Sequence, residues 1–247
     1  MVKFVVFCTK VIAAALVAVL FTSCHISGLH LGDGIDGNGN VINQTRNIDD
    51  NFDKVDVSHG LTVILEQSDN YAVEVEADEN LQEHITTKFE DRTLYISTDE
   101  DIDEATAQTI YVKVPSLTLV KASSSSSVSS KNTFTGTEIN LRASSSAEIN
   151  MNLEVDNISC RSSSSSTIDI RGIALTLNAD SSSSSGIYAK NLMVNDVFAE
   201  SSSSSSIDVR PAVKLDAKAS SSSSIDYYGS PKTVTKVESS SGSVSKQ

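Results

Sequence analysis

Serine-rich runs recur at residues 123–127, 144–146, 162–166, 181–185, 201–206, 220–224 and 239–241. Their starting points are 21, 18, 19, 20, 19 and 19 residues apart. A fixed period near twenty is the mark of a repeat architecture, and it restricts the chain to units that stack on their neighbours. Serine content alone would read as a disordered or glycosylated stalk, but the residues between the runs exclude that. Each run leads to an apolar residue at the same offset: Ile149, Ile168, Ile187, Ile207, Ile225 and Val244. Two residues on stands a second column, Met151, Ile170, Ala189, Val209 and Tyr227. Before the runs, Ile139-Leu141-Ala143, Ile158-Cys160 and Leu175-Leu177-Ala179 alternate with mostly polar residues. Period-2 alternation places one side of a strand in a core and the other in water.

About nineteen residues at roughly 3.3 Å each trace a path of about 60 Å, enough for a three-sided turn of short strands pairing with the next coil at about 4.8 Å. The expected fold is all-β, a parallel β-helix. A unit this short cannot hold two helices, and the period is 2 rather than 3.6. If alternation continues through a run, its first, third and fifth serines face inward and stack on their equivalents, hydroxyl to hydroxyl, from coil to coil.

Composition fits a narrow core: aromatic residues are 5% and tryptophan is absent. The net charge of −13 becomes −15 if a leader carrying Lys3 and Lys10 is removed. No basic patch accompanies it, so nucleic acid is excluded as a partner. The three cysteines, Cys8, Cys24 and Cys160, offer no disulfide framework. Cys160 falls at an inward position and reads as a small buried hydrophobe.

Residues 1–23 read as an export signal: Lys3 and Lys10 precede the apolar stretch 11–21, too short to span a bilayer. The stretch closes L-F-T-S-C, which resembles the lipobox of bacterial lipoproteins and makes Cys24 the expected lipidation site. Acyl chains there would anchor the protein to the membrane without a transmembrane helix. Residues 24–46, rich in Gly, Asn and Asp, read as a flexible tether. Asp36, Asn38 and Asn40 imitate a calcium loop, but Val41 and Asn47 stand where its glycine and glutamate belong, so no metal is expected. Residues 47–247 form one β-helix domain, with an irregular N-terminal cap over 47–115 and regular serine-rich coils over 116–247. In the cap, Phe52, Val55 and Val57, then Leu61, Val63 and Leu65, then Val73, Val75 and Ala77, and later Leu94, Ile96, Ile110, Val112 and Val114 alternate as strands, with one helical turn within 78–86. The acidic stretch 99–104 reads as a solvated loop.

G-N-G-N-V at 37–41, Arg46, Phe52-Asp53-Lys54-Val55, His59-Gly60-Leu61-Thr62-Val63, Asn80-Leu81 and Leu94-Tyr95-Ile96, followed by small-residue repeats, together resemble the putative auto-transporter adhesin head GIN domain family. That resemblance implies a right-handed parallel β-helix with an adhesive surface role on Bacteroidetes-type lipoproteins, and it carries no catalytic residues. Family repeats read Ser-Gly-Ala-Ser at the corner. Serine replaces the glycine nearly everywhere here, which argues against a corner that needs positive φ.

The repeat register aligns outward side chains as well. One column reads Asn150, Asp169, Tyr188, Asp208, Asp226; the next reads Asn152, Arg171, Lys190, Arg210, Tyr228. Asp208 and Asp226 should repel, with relief from Arg210. Grouped Asp, Arg and Lys also occur where β-helix enzymes cut acidic polysaccharides, yet any solvated strand face shows the same mixture. The four histidines, His25, His30, His59 and His84, form no spaced cluster, and no nucleophile elbow or phosphate loop is present. The expected function is therefore non-enzymatic and needs no cofactor: a lipid-anchored protein of the outer membrane, periplasmic or surface-facing, that adheres to a glycan or a surface protein. Asp169, Asp208, Asp226, Tyr188, Arg171, Lys190 and Arg210 are its candidate contacts. A structural envelope protein without a specific ligand is the alternative, and a polysaccharide lyase or hydrolase the less favoured one.

Overall fold

The computed structural model describes residues 34–48 and 51–247. The leader, Cys24 and the tether as far as residue 33 lie outside the described residues. In chain order come β1 (Ile35–Asp36), β2 (Val41–Thr45), β3 (Lys54–Val57), β4 (Thr62–Gln67), β5 (Ala72–Asp78), a 3-10 turn at Glu79–Leu81, β6 (Ile85–Glu90), β7 (Thr93–Thr98), β8 (Ile102–Glu104) and β9 (Gln108–Val114). After β10 (Leu119–Ala122) follow five long strands, each running through most of a coil: β11 (Ser127–Ala143), β12 (Glu148–Ser162), β13 (Thr167–Ser181), β14 (Gly186–Ser201) and β15 (Ser206–Ala219). β16 (Ser224–Tyr227) and β17 (Thr233–Glu238) make one further coil, and β18 (Ser243–Lys246) starts the next by pairing with β16.

The long strands pair in parallel with their successors, one coil to the next. This is the parallel β-helix expected from the repeat. Two sheet faces flank each serine corner. The leading face, just after it, stacks β9, β4, the first halves of β11 to β15, then β16 and β18. The trailing face, just before it, stacks β7, β3, β10, the second halves of β11 to β15, and β17.

Inside the leading face the isoleucine column is continuous: Val128, Ile149, Ile168, Ile187, Ile207, Ile225 and Val244 are strand partners in sequence and all are buried. Burying one such side chain contributes roughly 1.5–3 kcal/mol, so the column is a main source of cohesion between coils. Toward the corner the inward residues shrink: Ala122, Ala143, Ser162, Ser181, Ser201 and Ala219 form one ladder. Two sheets converge there, and only small side chains fit between them.

The corners themselves differ from the alternating arrangement. Fourteen serines, two in each corner (Ser164 and Ser165 in one, Ser183 and Ser184 in the next), adopt φ between 46° and 63°. The absence of glycine therefore does not prevent a left-handed corner. Two left-handed central residues make the tight turn type of β-hairpins, and in six of the seven corners the N–H of the turn's fourth residue closes it, as Ser166 N bonds Ser163 O at 3.4 Å. The left-handed serines are offset by bonds between coils: Ser165 N donates to Ser183 O at 3.1 Å and Ser184 N to Ser203 O at 3.0 Å. Because the turn intervenes, the third serine of a run is an exposed tip; in the runs that start at 162, 181 and 201 the first and fifth point inward, as Ser162 and Ser166 do, and in those that start at 123 and 220 the fourth does, Ser126 and Ser223. The Ser162 and Ser166 hydroxyls meet each other across the corner at 2.9 Å rather than stacking hydroxyl on hydroxyl between coils.

The two ends of the helix are finished differently. At the N-terminal end the strand direction reverses: β5 pairs antiparallel with β9, β2 antiparallel with β5, and β6 antiparallel with β7. The segment read as a flexible tether is thus ordered strand over 41–45. Its hold is Asp78, whose carboxylate accepts from Gly39 N at 2.7 Å, Thr106 N at 2.7 Å and Ala107 N at 3.2 Å. Gly37 lies against this carboxylate so closely that a Cβ there would stand 2.6 Å from Oδ2. Asn38 and Asn40 bond into the same cluster: Asn40 N donates to Asn38 Oδ1, and Asn38 N to Asn80 Oδ1. The acidic stretch is not wholly loop either, since β8 pairs with β1. At the C-terminal end Lys236 and Glu238 occupy the inward columns continued from Ala217 and Ala219. The Lys236 ammonium sits 4.9 Å from the centre of the Tyr227 ring and donates to Val244 O at 2.8 Å. Inward charges of this kind blunt a sheet edge.

Candidate functional site

The column Asn150, Asp169, Tyr188, Asp208, Asp226 is continuous on the leading face, each residue the strand partner of the next. Arg171 reaches back to Asp169 at 3.5 Å and donates to Asn150 Oδ1 at 3.3 Å. Tyr188 shares a hydrogen bond with Ser206 Oγ at 3.4 Å. Its ring lies back over Gly186, where a Cβ would approach within 2.8 Å, so it lies against the sheet instead of standing out from it. Burial, then the neighbouring Asp226 charge, raises the Asp208 carboxyl above its ordinary value; Lys190 opposes them. The relieving cation is therefore Lys190 and not Arg210.

The second outward column is interrupted. Asn152 partners Arg171, but Arg171 then partners Asn191, because the ladder between β13 and β14 shifts after Asp169. Lys190 falls out of line with Arg171. Asp169, Tyr188, Asp208 and Asp226 are brought together as a column, whereas Arg171, Lys190 and Arg210 are not.

The trailing face holds a feature the sequence columns did not single out: a groove of about 420 Å³. One wall is the ladder Asn140, Ser159, Asn178, Phe198, Asp216 and Thr235; the other is Arg142, Arg161, Asp180, Glu200, Lys218 and Val237. The walls stand two residues apart along each strand, about 7 Å, and five strand spacings give a length of about 24 Å. The floor is formed by Leu141, Cys160, Ala179, Ala199 and Ala217, whose side chains point into the core.

The charges here are arranged in pairs. Arg161 meets Asp180 at 3.3 Å and Lys218 meets Glu200 at 2.6 Å, each across one coil. Asp216 is bonded to Lys214 at 2.7 Å, a contact that holds its carboxyl below the usual carboxylate range. The Lys214 ammonium also sits 4.8 Å from the centre of the Phe198 ring. Phe198 is 39% exposed, with Lys214 buttressing it from outside the groove. Arg142 has no carboxylate partner among the described residues. The same register that aligned Asp169 with Tyr188 also aligns Asn140, Ser159, Asn178 and Phe198, so period counting before the corners would have found this face. The Cys160 thiol, fully buried, is pushed far above its ordinary value by desolvation and is chemically inert.

Among the described residues, no group of three or more His, Cys, Asp or Glu is placed to hold a metal ion, and no helix is long and apolar enough to cross a membrane.

Solved structures share this architecture. A putative adhesin from Bacteroides fragilis superposes with a TM-score of 0.81 at 20% identity, covering 87% of this chain and 100% of its own. A putative adhesin from Parabacteroides merdae gives 0.70 at 23% identity, covering 87% and 99%. A putative lipid binding protein from Parabacteroides distasonis gives 0.70 at 22% identity, covering 86% and 99%. At these identities the likeness establishes the fold. No curated protein matches the chain. Residues 51–231, from the cap to the last coil, match the family described as putative auto-transporter adhesin, head GIN domain, and the chain belongs to that family.

Proposed function

We propose that the protein is an exported adhesin, held in the outer membrane by acyl chains on Cys24, that contacts a glycan or protein partner through its sheet faces. The observation that carries this reading is the trailing-face groove, in which an exposed aromatic ring is set among amide, hydroxyl and paired charged side chains. Sites of that composition suit reversible surface contact, and stacked coils supply repeated weak contacts that add up through avidity. Membership of an adhesin family supports the adhesive role and an exported location. The leading-face column with Asp169, Tyr188, Asp208 and Asp226, together with Arg171, Lys190 and Arg210, is the secondary contact surface.

Two measurements test the proposal. Metabolic labelling with an alkynyl fatty acid should mark the wild-type chain and leave Cys24→Ala unlabelled and unanchored; equal labelling of both would remove the anchor. Beads coated with the full chain should adhere to bacterial or host cell surfaces above uncoated beads. Failure on every surface would leave a structural envelope protein in place of an adhesin.

A further inference from the structure

Resting on that adhesive reading, we infer that the trailing-face groove takes an uncharged, unbranched glycan chain lying along the axis of the β-helix, with one sugar ring packed on Phe198. The groove crosses the strands rather than following them, so a chain in it runs from coil to coil past both walls. Its width of about 7 Å and length of about 24 Å suit one extended polymer several sugars long.

Charge selects the class of polymer. The chain carries −13 overall, yet the groove is lined by Arg142, Arg161 and Lys218 against Asp180, Glu200 and Asp216, equal numbers of each sign. All three carboxylates are already paired, with Arg161, Lys218 and Lys214. An acidic polymer would find Arg142 as its one unpaired cation, at one end of the groove, and would face the carboxylates of Asp180, Glu200 and Asp216 along the rest; a basic one would find no carboxylate free. A polyhydroxyl chain needs neither. Asn178 and Ser159 precede Phe198 on its wall and Asp216 follows it, offering donors and acceptors on either side of an apolar ring. That combination serves a pyranose, which presents C–H groups on one face and hydroxyls around its rim. A peptide is disfavoured because the backbone groups on the floor are already engaged in ladders with both neighbouring strands, leaving none for strand addition.

The test is affinity electrophoresis of the full chain in detergent, with soluble unbranched β-glucan or α-mannan cast into the gel and polygalacturonate as the acidic comparison. An uncharged polymer should retard the protein, with little change between low and high salt. Phe198→Ala should weaken retardation by about tenfold, Phe198→Tyr should restore it, and Met193→Ala, at an exposed side chain outside both contact surfaces, should leave it unchanged. Three results would overturn the inference: retardation by polygalacturonate alone, retardation by an uncharged polymer that ignores Phe198→Ala, or no retardation by any polymer. If coated beads still adhere to cells in any of these cases, the adhesive reading stands and only the groove assignment falls.

Discussion

The Ser185 hydroxyl donates to the Ser162 carbonyl oxygen one coil back, at 2.8 Å. Ser205 makes the same bond to Ser181, and Ser223 to Ser201, each at 2.7 Å. The serine runs are therefore the ties between coils, formed where inward space is too small for an apolar side chain. Ser185→Ala should cost about 1 kcal/mol, the net worth of one such hydrogen bond, because Ala147 already fills the equivalent place two corners earlier. Ser185→Leu should cost several times more by overpacking the corner. Thermal unfolding of the two variants checks the order; equal losses would contradict a packed corner.

The exposed tip serines make a separate prediction. Ser183 stands at φ 57°, a conformation that costs an L residue about 1–2 kcal/mol. Ser183→Val should lower stability by about that much, since branching at Cβ worsens the clash, while Ser183→Gly should be neutral or stabilising. Valine tolerated as well as glycine in chemical denaturation would contradict the left-handed corner.

Acid should loosen the N-terminal cap. Burial alone would raise the Asp78 carboxyl, but the N–H groups of Ala107, Thr106 and Gly39 outweigh it and hold it below the usual carboxylate range. A carboxyl depressed in the folded state contributes stability above its unfolded value and loses it as pH falls through its folded one. Limited proteolysis should therefore cut near residues 37–46 at strongly acid pH in the wild type, and already at neutral pH in Asp78→Ala. Resistance of that variant would show that β2 is held by other contacts.

Asp208 carries the opposite sign. Its carboxyl is raised by burial and by Asp226, so its charged form opposes folding, and the penalty disappears as pH falls below its unfolded value. Asp208→Asn should raise the Tm at neutral pH, with a gain that shrinks toward zero in acid. A gain independent of pH would exclude the charge as its cause.

Lys236 and Glu238 should guard the C-terminal edge against self-association. Replacing them together, Lys236→Ile with Glu238→Val, would continue the apolar columns to the exposed edge and should produce concentration-dependent oligomers in light scattering. A double variant that stays as dispersed as the wild type would show that the edge is protected by something else.

What the sequence made legible follows from locality. One isoleucine per coil at a fixed offset exposes the leading face, since each strand partner lies one period away. Alternation predicts an inward third serine, but it breaks wherever two left-handed residues reverse the chain, and serine is not the residue that signals such a turn. The trailing-face groove carries no such mark: its walls mix Asn, Ser, Phe, Arg, Asp and Lys over a floor of Leu141, Cys160 and three alanines, so only the repeat register, and no single residue type, reveals it. Asp78 and its partners Gly39, Thr106 and Ala107 are separated by 28 to 39 residues, and composition near 37–41 says nothing of a carboxylate that far along the chain.

The stacking of coils in register underlies the columns, the groove and the ties alike. Spin labels on cysteines placed at Ser129 and Asp226, with the native cysteines replaced by alanine, test it by electron–electron distance measurement. These residues are the first and last of six successive strand partners. The account predicts a narrow distribution near 24 Å, about one strand spacing of 4.8 Å longer than for labels at Ser129 and Asp208. Equal distances for the two pairs, or a broad distribution for either, would contradict it.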